Sequence, residues 1–160
     1  MKLTLRILLS LALLAAVVWW GRAHFRHSQP VAVAEFETDL TEGLVQGIIK
    51  ELDADGPKVY FLTFGEVWAE PSPDFIARFA GHFPPVRGFE SSVHTPNGLI
   101  LDTASGRPGV IIQILRIKPV IPGTSDVWVT FPNRQSAPKD VTYRMFDNSG
   151  TWTIKSRLPS

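Results

Sequence analysis

Residues 141–156 read VTYRMFDNSGTWTIKS, and this stretch decides the fold. Two runs in which every second residue is apolar flank the turn signal DNSG at residues 147–150. Such alternation is typical of a strand with one face in the core and the other in water. A Gly that ends a short turn suits a left-handed bulge position. The stretch therefore predicts an antiparallel hairpin.

Upstream of this hairpin the chain consists mostly of strand and turn signals. The run Val59 to Phe64 is continuously apolar and rich in β-formers, which predicts a central strand buried on both faces. Asn97-Gly98 indicates a tight hairpin. The candidate strands after that central strand are residues 89–95, 99–103, 110–117, 126–131, 141–147 and 151–156.

Two segments have helical patterns. Residues 39–53 repeat an apolar residue every four positions, and Asp39 and Glu42 resemble a capping box. Gly43 and Gly47 share one face of this helix, which favours a close approach to a sheet or to another helix. A second helix begins after the N-cap residue Ser72, with Pro73 at its first position, and ends before Gly81.

The order of these elements predicts an α+β fold. In that fold two helices pack on one curved antiparallel sheet, and an N-terminal apolar helix precedes them. We expect a signal anchor or signal peptide at residues 1–21, a juxtamembrane linker at residues 22–34 and a single domain at residues 35–160.

The N-terminal segment is a targeting element. Lys2 and Arg6 precede an apolar run from Ile7 to Trp20, which is marginal in length for a membrane span. The bulky residues at its end suit a membrane interface and disfavour cleavage, so we interpret it as an uncleaved anchor; a cleaved signal peptide is the alternative. The predicted membrane-interface residues are Trp19, Trp20 and Arg22.

This interpretation places the domain in the cell envelope. It is anchored in the inner membrane and faces the periplasm or exterior, or it is secreted to the periplasm if the segment is cleaved. The membrane is then a partner through the N-terminal helix, an envelope protein is a further possible partner, and no nucleic acid is expected. The chain has no Cys, which excludes disulfides, a thiol nucleophile and a thiolate metal site.

Charge is distributed unevenly along the chain. Residues 1–34 carry a net charge of +4, residues 35–74 carry −8 and residues 75–160 carry +5. One interpretation is that the acidic and basic parts pack together and their fields partly cancel. The other is a dipolar surface that selects a partner.

Ser92, His94 and Asp102 invite comparison with a catalytic triad, and the register of the predicted hairpin decides the outcome. A two-residue loop puts Asp102 on the face opposite His94, whereas a three-residue loop, Pro96 to Gly98, puts all three on one face. No nucleophile elbow is present. We therefore assign no catalytic residue, no metal site and no cofactor. The candidate ligand-binding residues are Glu66, His82, Arg87, His94 and Arg107.

The layout of residues 39–156 and the closing segment VTYRMFDNSGTWTIKS resemble the NTF2-like and cystatin-like α+β group. The segments VYFLTFG, PSPDFIARFAGHFPPV and SGRPGVI resemble small exported bacterial proteins of unassigned function. The preferred expectation is a non-catalytic envelope domain with a binding role. The alternative that the resemblance implies is an NTF2-like pocket protein that binds a small ligand or acts as a weak hydrolase or isomerase.

Overall fold

The computed structural model describes residues 33–52, 58–132 and 139–158, and strands predominate in it. Its helices are α1 (Asp39–Leu52), α2 (Pro73–Ala77) and a 3-10 turn at Phe89–Ser91. Its strands are β1 (Val59–Phe64), β2 (Val86–Gly88), β3 (Ser92–His94), β4 (Ile100–Asp102), β5 (Gly109–Ile121), β6 (Thr124–Phe131), β7 (Lys139–Asn148) and β8 (Thr151–Leu158).

Six of these strands form one mixed sheet in the order β2-β1-β5-β6-β7-β8. β1 runs parallel to both of its neighbours, with Tyr60 beside Val86 on one side and beside Val110 on the other. The pairs from β5 to β8 are antiparallel. β3 and β4 form a separate two-stranded antiparallel sheet.

The predicted fold class is therefore wrong. The main sheet is mixed, a second small sheet exists, and α1 is the one long helix in the described part of the chain, since α2 has five residues. All six residues of β1 are buried, as predicted. A strand buried on both faces is also what a parallel sheet requires, and the chain between β1 and β2 crosses over to make that pairing.

α1 packs on one face of the main sheet because its apolar stripe and the inward residues of the strands form a single core. Leu44, Val45 and Ile48 are fully buried from the helix, and Tyr143 and Met145 are buried from β7. The prediction for the two helix glycines is confirmed. Gly43 lies against the backbone of Trp152 and Gly47 against the side chain of Ile154, both in β8.

The small sheet lies with the other face of β1. Val59 and Phe61 of β1 and Ile111 of β5 form a second buried cluster there. The partly buried residues that pack against this cluster are Trp68, Phe89 and Ile100. The main sheet is therefore buried on both faces around β1, while α1 packs with β7 and β8 on one face only.

The predicted start of the second helix is confirmed. The Ser72 hydroxyl accepts a hydrogen bond from the Phe75 N–H at 3.2 Å and donates one to Glu37 at 2.9 Å. The helix itself ends at Ala77, and turns occupy the chain up to Gly81, whose φ is +83°. The periodic apolar residues predicted a longer helix because they continue into these turns.

The two edges of the main sheet differ. β2 provides a three-residue edge, whereas β8 provides an eight-residue edge on which Lys155 and Arg157 are exposed. The predicted anchor and its interface residues, 1–21 and Arg22, lie outside the described residues. Within the described ranges, no helix has both the length and the apolarity that a membrane span requires.

Candidate functional site

The three-residue loop is the register that the small sheet adopts. Ser92 pairs with Asp102, and His94 pairs with Ile100. Because successive strand residues alternate between faces, Ser92, His94 and Asp102 belong to the same face of the small sheet. The hydrogen bonds of Ser92 and Asp102 nevertheless go to partners other than His94. The Ser92 hydroxyl donates to the Phe89 carbonyl at 2.7 Å, and the His94 ring lies 6.4 Å from the Phe89 ring. A nucleophile needs its proton directed at a base, and this hydroxyl directs it at a backbone carbonyl.

Asp102 serves the structure of the turn that follows it. Its side chain is fully buried and accepts hydrogen bonds from the Ser105 N–H at 3.0 Å and the Ser105 hydroxyl at 2.5 Å. The Arg87 Nε lies 3.3 Å from the other carboxylate oxygen, as an ion pair without hydrogen-bond alignment. Burial acts to raise the pKa of Asp102, but the hydrogen bonds from Ser105 and the charge of Arg87 lower it overall.

Two of the five predicted ligand residues meet at Asp102. Arg87 faces its carboxylate, and the Arg107 carbonyl accepts from its N–H at 2.9 Å. The Arg107 guanidinium lies 5.7 Å from the ring centre of Phe83. Arg87 through its guanidinium and Arg107 through its backbone carbonyl thus hold Asp102 in place, which is a structural role.

The other candidates do not complete a pocket around these arginines. His82 is exposed beside the Phe79 ring, with 6.2 Å between ring centres. Glu66 is exposed in the turn after β1, and it makes no ion pair within the described ranges. His94 belongs to the small sheet and lies beside Phe89. The structure therefore brings the Arg87 side chain and the Arg107 backbone to Asp102 but does not gather the five side chains.

The sheet face under α1 is filled by side chains. Tyr60, Leu62 and Ile112 there are fully buried, and Phe64 stacks on Phe36 with 5.2 Å between ring centres. A shallow groove of about 300 Å³ lies outside this core, between α1 and the first half of β8. Because the core occupies the space that a cone-shaped pocket would need, the packing does not favour the pocket-protein alternative.

The opposite face of β5 to β8 is exposed at β5 and β8 and buried at Thr124 and Asp126 of β6, and three of its cross-strand rows lie towards the turn between β5 and β6. We call this surface the open face. The first row is Ile121, Thr124, Phe146 and Thr153; the second is Lys118, Asp126, Arg144 and Ser156; the third is Arg116, Trp128, Thr142 and Leu158. Strand residues alternate between faces, and Val127, Tyr143 and Met145 point into the core, so these rows point away from α1.

The second and third rows carry a band of cations. Arg144 makes two hydrogen bonds to the Asp126 carboxylate, at 2.7 and 2.8 Å. These bonds from Arg144 lower the pKa of Asp126. The Arg116 guanidinium lies 4.0 Å from the ring centre of Trp128, which fits a cation–π contact. We call these three cations, Arg116, Lys118 and Arg144, together with Lys155, the basic band. Lys155 lies outside the rows, at the register shift of β8, and its ammonium is over the Phe146 ring.

Three exposed apolar side chains lie at the end of β5 and in the first row. Val120 is 44% exposed, Ile121 is 63% exposed and Phe146 is 42% exposed. The Lys155 ammonium lies 5.3 Å from the ring centre of Phe146. We call these three apolar residues the apolar tip. The open face therefore combines exposed apolar groups with neighbouring cations.

The charges of the domain separate across the sheet. On the α1 side, Arg78 pairs with Asp39 at 2.8 Å, and Arg157 pairs with Glu51. These contacts partly neutralise the acidic helix, as the first interpretation of the charge pattern expects. The basic band lies on the other side, where the one acid of its rows, Asp126, is bonded to Arg144. One row farther along β7, Asp140 adds an exposed carboxylate to the same face. Four cations against two acids leave the open face with a positive excess.

Our sequence interpretation missed the open face. The sequence analysis assigned no role to Trp128 or to the cations around it. A signal was available in the alternation along each strand: residues 116, 118, 128, 142 and 144 are polar or aromatic between apolar neighbours. What the sequence lacked was the register that aligns them across four strands.

In the described portion of the chain, no cluster of three His, Asp or Glu side chains is arranged to hold a metal ion. Comparison with family models, with curated proteins and with solved structures gives no match to this chain. The function must therefore be argued from the surface itself.

Proposed function

We propose that this chain is a non-catalytic binding domain of the cell envelope, which its N-terminal segment anchors in the inner membrane or delivers across it. The observation that carries the proposal is the open face, where a basic band and an apolar tip lie side by side on a rigid sheet. Exposed apolar patches bordered by polar groups are typical of interaction surfaces. The face is supported by the buried residues on the α1 side, so its side chains are held at fixed spacings.

The hydrogen bonds elsewhere favour binding over catalysis. The two groups of the triad-like set whose partners are described, Ser92 and Asp102, bond to a backbone carbonyl and to a turn. A hydrolase or isomerase needs ionisable groups that converge on a substrate. On the open face, the cations of the basic band instead serve to attract an anionic partner and to orient it.

Site-specific photocrosslinking in intact cells tests the proposal. A photoreactive amino acid is placed at Ser156, an exposed position in the second row, in the full-length chain. The matched control carries the same group at Asp74, which is exposed on α2 away from the open face. We expect an adduct with an envelope component, protein or lipid, from position 156 and none from position 74.

Two outcomes of the photocrosslinking experiment would contradict the proposal. If position 156 and further open-face positions, such as Thr153, give no adduct in repeated trials, the proposed binding role is refuted. If only Asp74 gives an adduct, binding occurs on the α1 side and the open face is not the site. A C-terminal tag on each variant shows that equal amounts of chain are compared.

A further inference from the structure

We infer that the occupant of the open face is the anionic headgroup region of a lipid bilayer. This inference rests on the proposed function and names the partner of the same surface. It starts from two observations that have no common structural cause: a positive excess in the basic band and exposed apolar side chains in the apolar tip.

The basic band provides electrostatic attraction to an anionic surface. Lys118 and Lys155 are exposed, and Arg116 lies over Trp128 with its guanidinium at the surface. Asp126 is 9% exposed and bonded to Arg144, and the exposed Asp140, one row farther along β7, is the second carboxylate of this face, so cations remain in excess. Anionic headgroups attract such clusters of cations, and the attraction falls off within a Debye length.

The apolar tip provides side chains that can enter the apolar part of a bilayer. Val120 and Ile121 lie at the end of β5, next to the two-residue turn that leads into β6, and Phe146 is in the same row as Ile121. Exposed apolar side chains beside cations are the composition with which proteins enter the boundary between headgroups and acyl chains. A purely ionic partner would give these three side chains nothing to bind.

The charges on the α1 side are consistent with docking through the open face. Asp39, Glu42 and Glu51 lie on α1, across the sheet from the basic band, where Arg78, Arg157 and the exposed Lys50 balance their charges. An anionic surface therefore attracts the open face, whereas the near-neutral α1 side provides no such attraction. A domain with this charge separation docks in one orientation rather than tumbling on the surface.

Spin labelling of the full-length chain in lipid nanodiscs tests the inference directly. The native chain contains no Cys, so a single introduced Cys gives one label. The label is placed through Ile121→Cys, and the matched control is Lys50→Cys on the exposed side of α1. The ratio of accessibility to oxygen over accessibility to a water-soluble nickel reagent reports contact with lipid.

In nanodiscs with about one third anionic lipid, we expect the ratio at position 121 to rise several-fold over that at position 50. In purely zwitterionic nanodiscs the two labels are expected to give similar ratios. Lys118→Gln with Lys155→Gln, which removes two exposed charges without placing a carboxylate opposite Asp126, is expected to reduce the rise sharply while the thermal unfolding midpoint changes little.

Each contrary outcome overturns the inference. If the accessibility ratio at position 121 does not rise in anionic discs, the label does not contact lipid. If the ratio rises equally in zwitterionic discs, the open face does not recognise the charge of the headgroups. A rise that depends on protein density identifies a second copy of the chain as the occupant. If lipid contact is absent but photocrosslinking at position 156 yields a protein, the proposed binding role is supported and the lipid partner is refuted.

Discussion

Gly43 of α1 faces the backbone carbonyl of Trp152 in β8, and this carbonyl fills the space that a β-carbon at position 43 would need. The contact sets the distance between the helix and the last strand. It explains why a residue unfavourable for helix formation occupies the middle of the one long described helix. The helix loses about 1 kcal/mol of intrinsic propensity there relative to Ala.

We predict that Gly43→Ala destabilises the domain although it improves helix propensity. The added methyl group meets backbone, which cannot move aside, and overpacking of this kind costs about 1–3 kcal/mol. Gly47→Ala is the matched control, because the nearest atom there is the terminal Cδ1 of Ile154, which has rotational freedom. Urea unfolding should show Gly43→Ala to be the less stable variant. Equal stability of the two variants would refute the close-approach argument.

A second prediction concerns Asp126 and acid stability. Because Arg144 lowers the pKa of Asp126 in the folded chain, this carboxylate stabilises the fold above its unfolded pKa of about 3.9 and loses that effect as pH falls through the lower folded value. At about pH 7, Asp126→Asn should lower the free energy of unfolding by about 1–3 kcal/mol. The difference from the native chain should shrink towards about pH 2.

Asp140→Asn, at an exposed position of β7, is the control for the acid series. It should follow the native chain at every pH. A constant difference between Asp126→Asn and the native chain across the series would show that Asp126 acts through packing rather than charge.

A third prediction concerns the small sheet. Asp102→Ala removes the buried acceptor that serves both Ser105 and Arg87, so we expect a loss of about 1–3 kcal/mol in the free energy of unfolding. Ser105→Ala removes one hydroxyl and leaves the contact with Arg87, so about 1 kcal/mol is expected. Chemical denaturation of the two variants provides the comparison. If Asp102→Ala cost no more than Ser105→Ala, Asp102 would not be the centre of the turn.

A fourth prediction concerns the N-terminal segment. With a C-terminal tag, the full-length chain should fractionate with membranes and resist alkaline extraction, because we interpret residues 1–21 as an uncleaved anchor. N-terminal sequencing of the tagged product separates the cases: a start at or near residue 1 supports the anchor, and a start shortly after residue 21 identifies a cleaved signal peptide.

Local signals in the sequence predicted the elements correctly where the decisive contacts are local. The hairpin of β7 and β8 follows from alternation and from a two-residue turn in which Ser149 and Gly150 both have positive φ. The helix at 39–52 follows from its periodicity. β2 was missed because three residues, one of them Gly88, are too few to show a pattern.

Pairing between distant strands was beyond local signals. β1 pairs with β2 and β5, which are separated from it by a crossover and by the whole small sheet, and both pairings are parallel. Nothing in the neighbourhood of residues 59–64 encodes those partners. The same holds for the open face, because register shifts in β5, between Ile114 and Arg116 and between Pro119 and Ile121, decide which side chains align.

The unequal edges of the main sheet determine how the protein behaves at high concentration. β2 is too short to act as a template for polymerisation, and β8 is long enough. Two copies that joined by antiparallel β8 strands would bring the Lys155 and Arg157 cations of one against those of the other, and like charges disfavour such pairing. The longer edge of the main sheet, as far as the structure describes it, thereby carries its own protection against fibrous self-assembly.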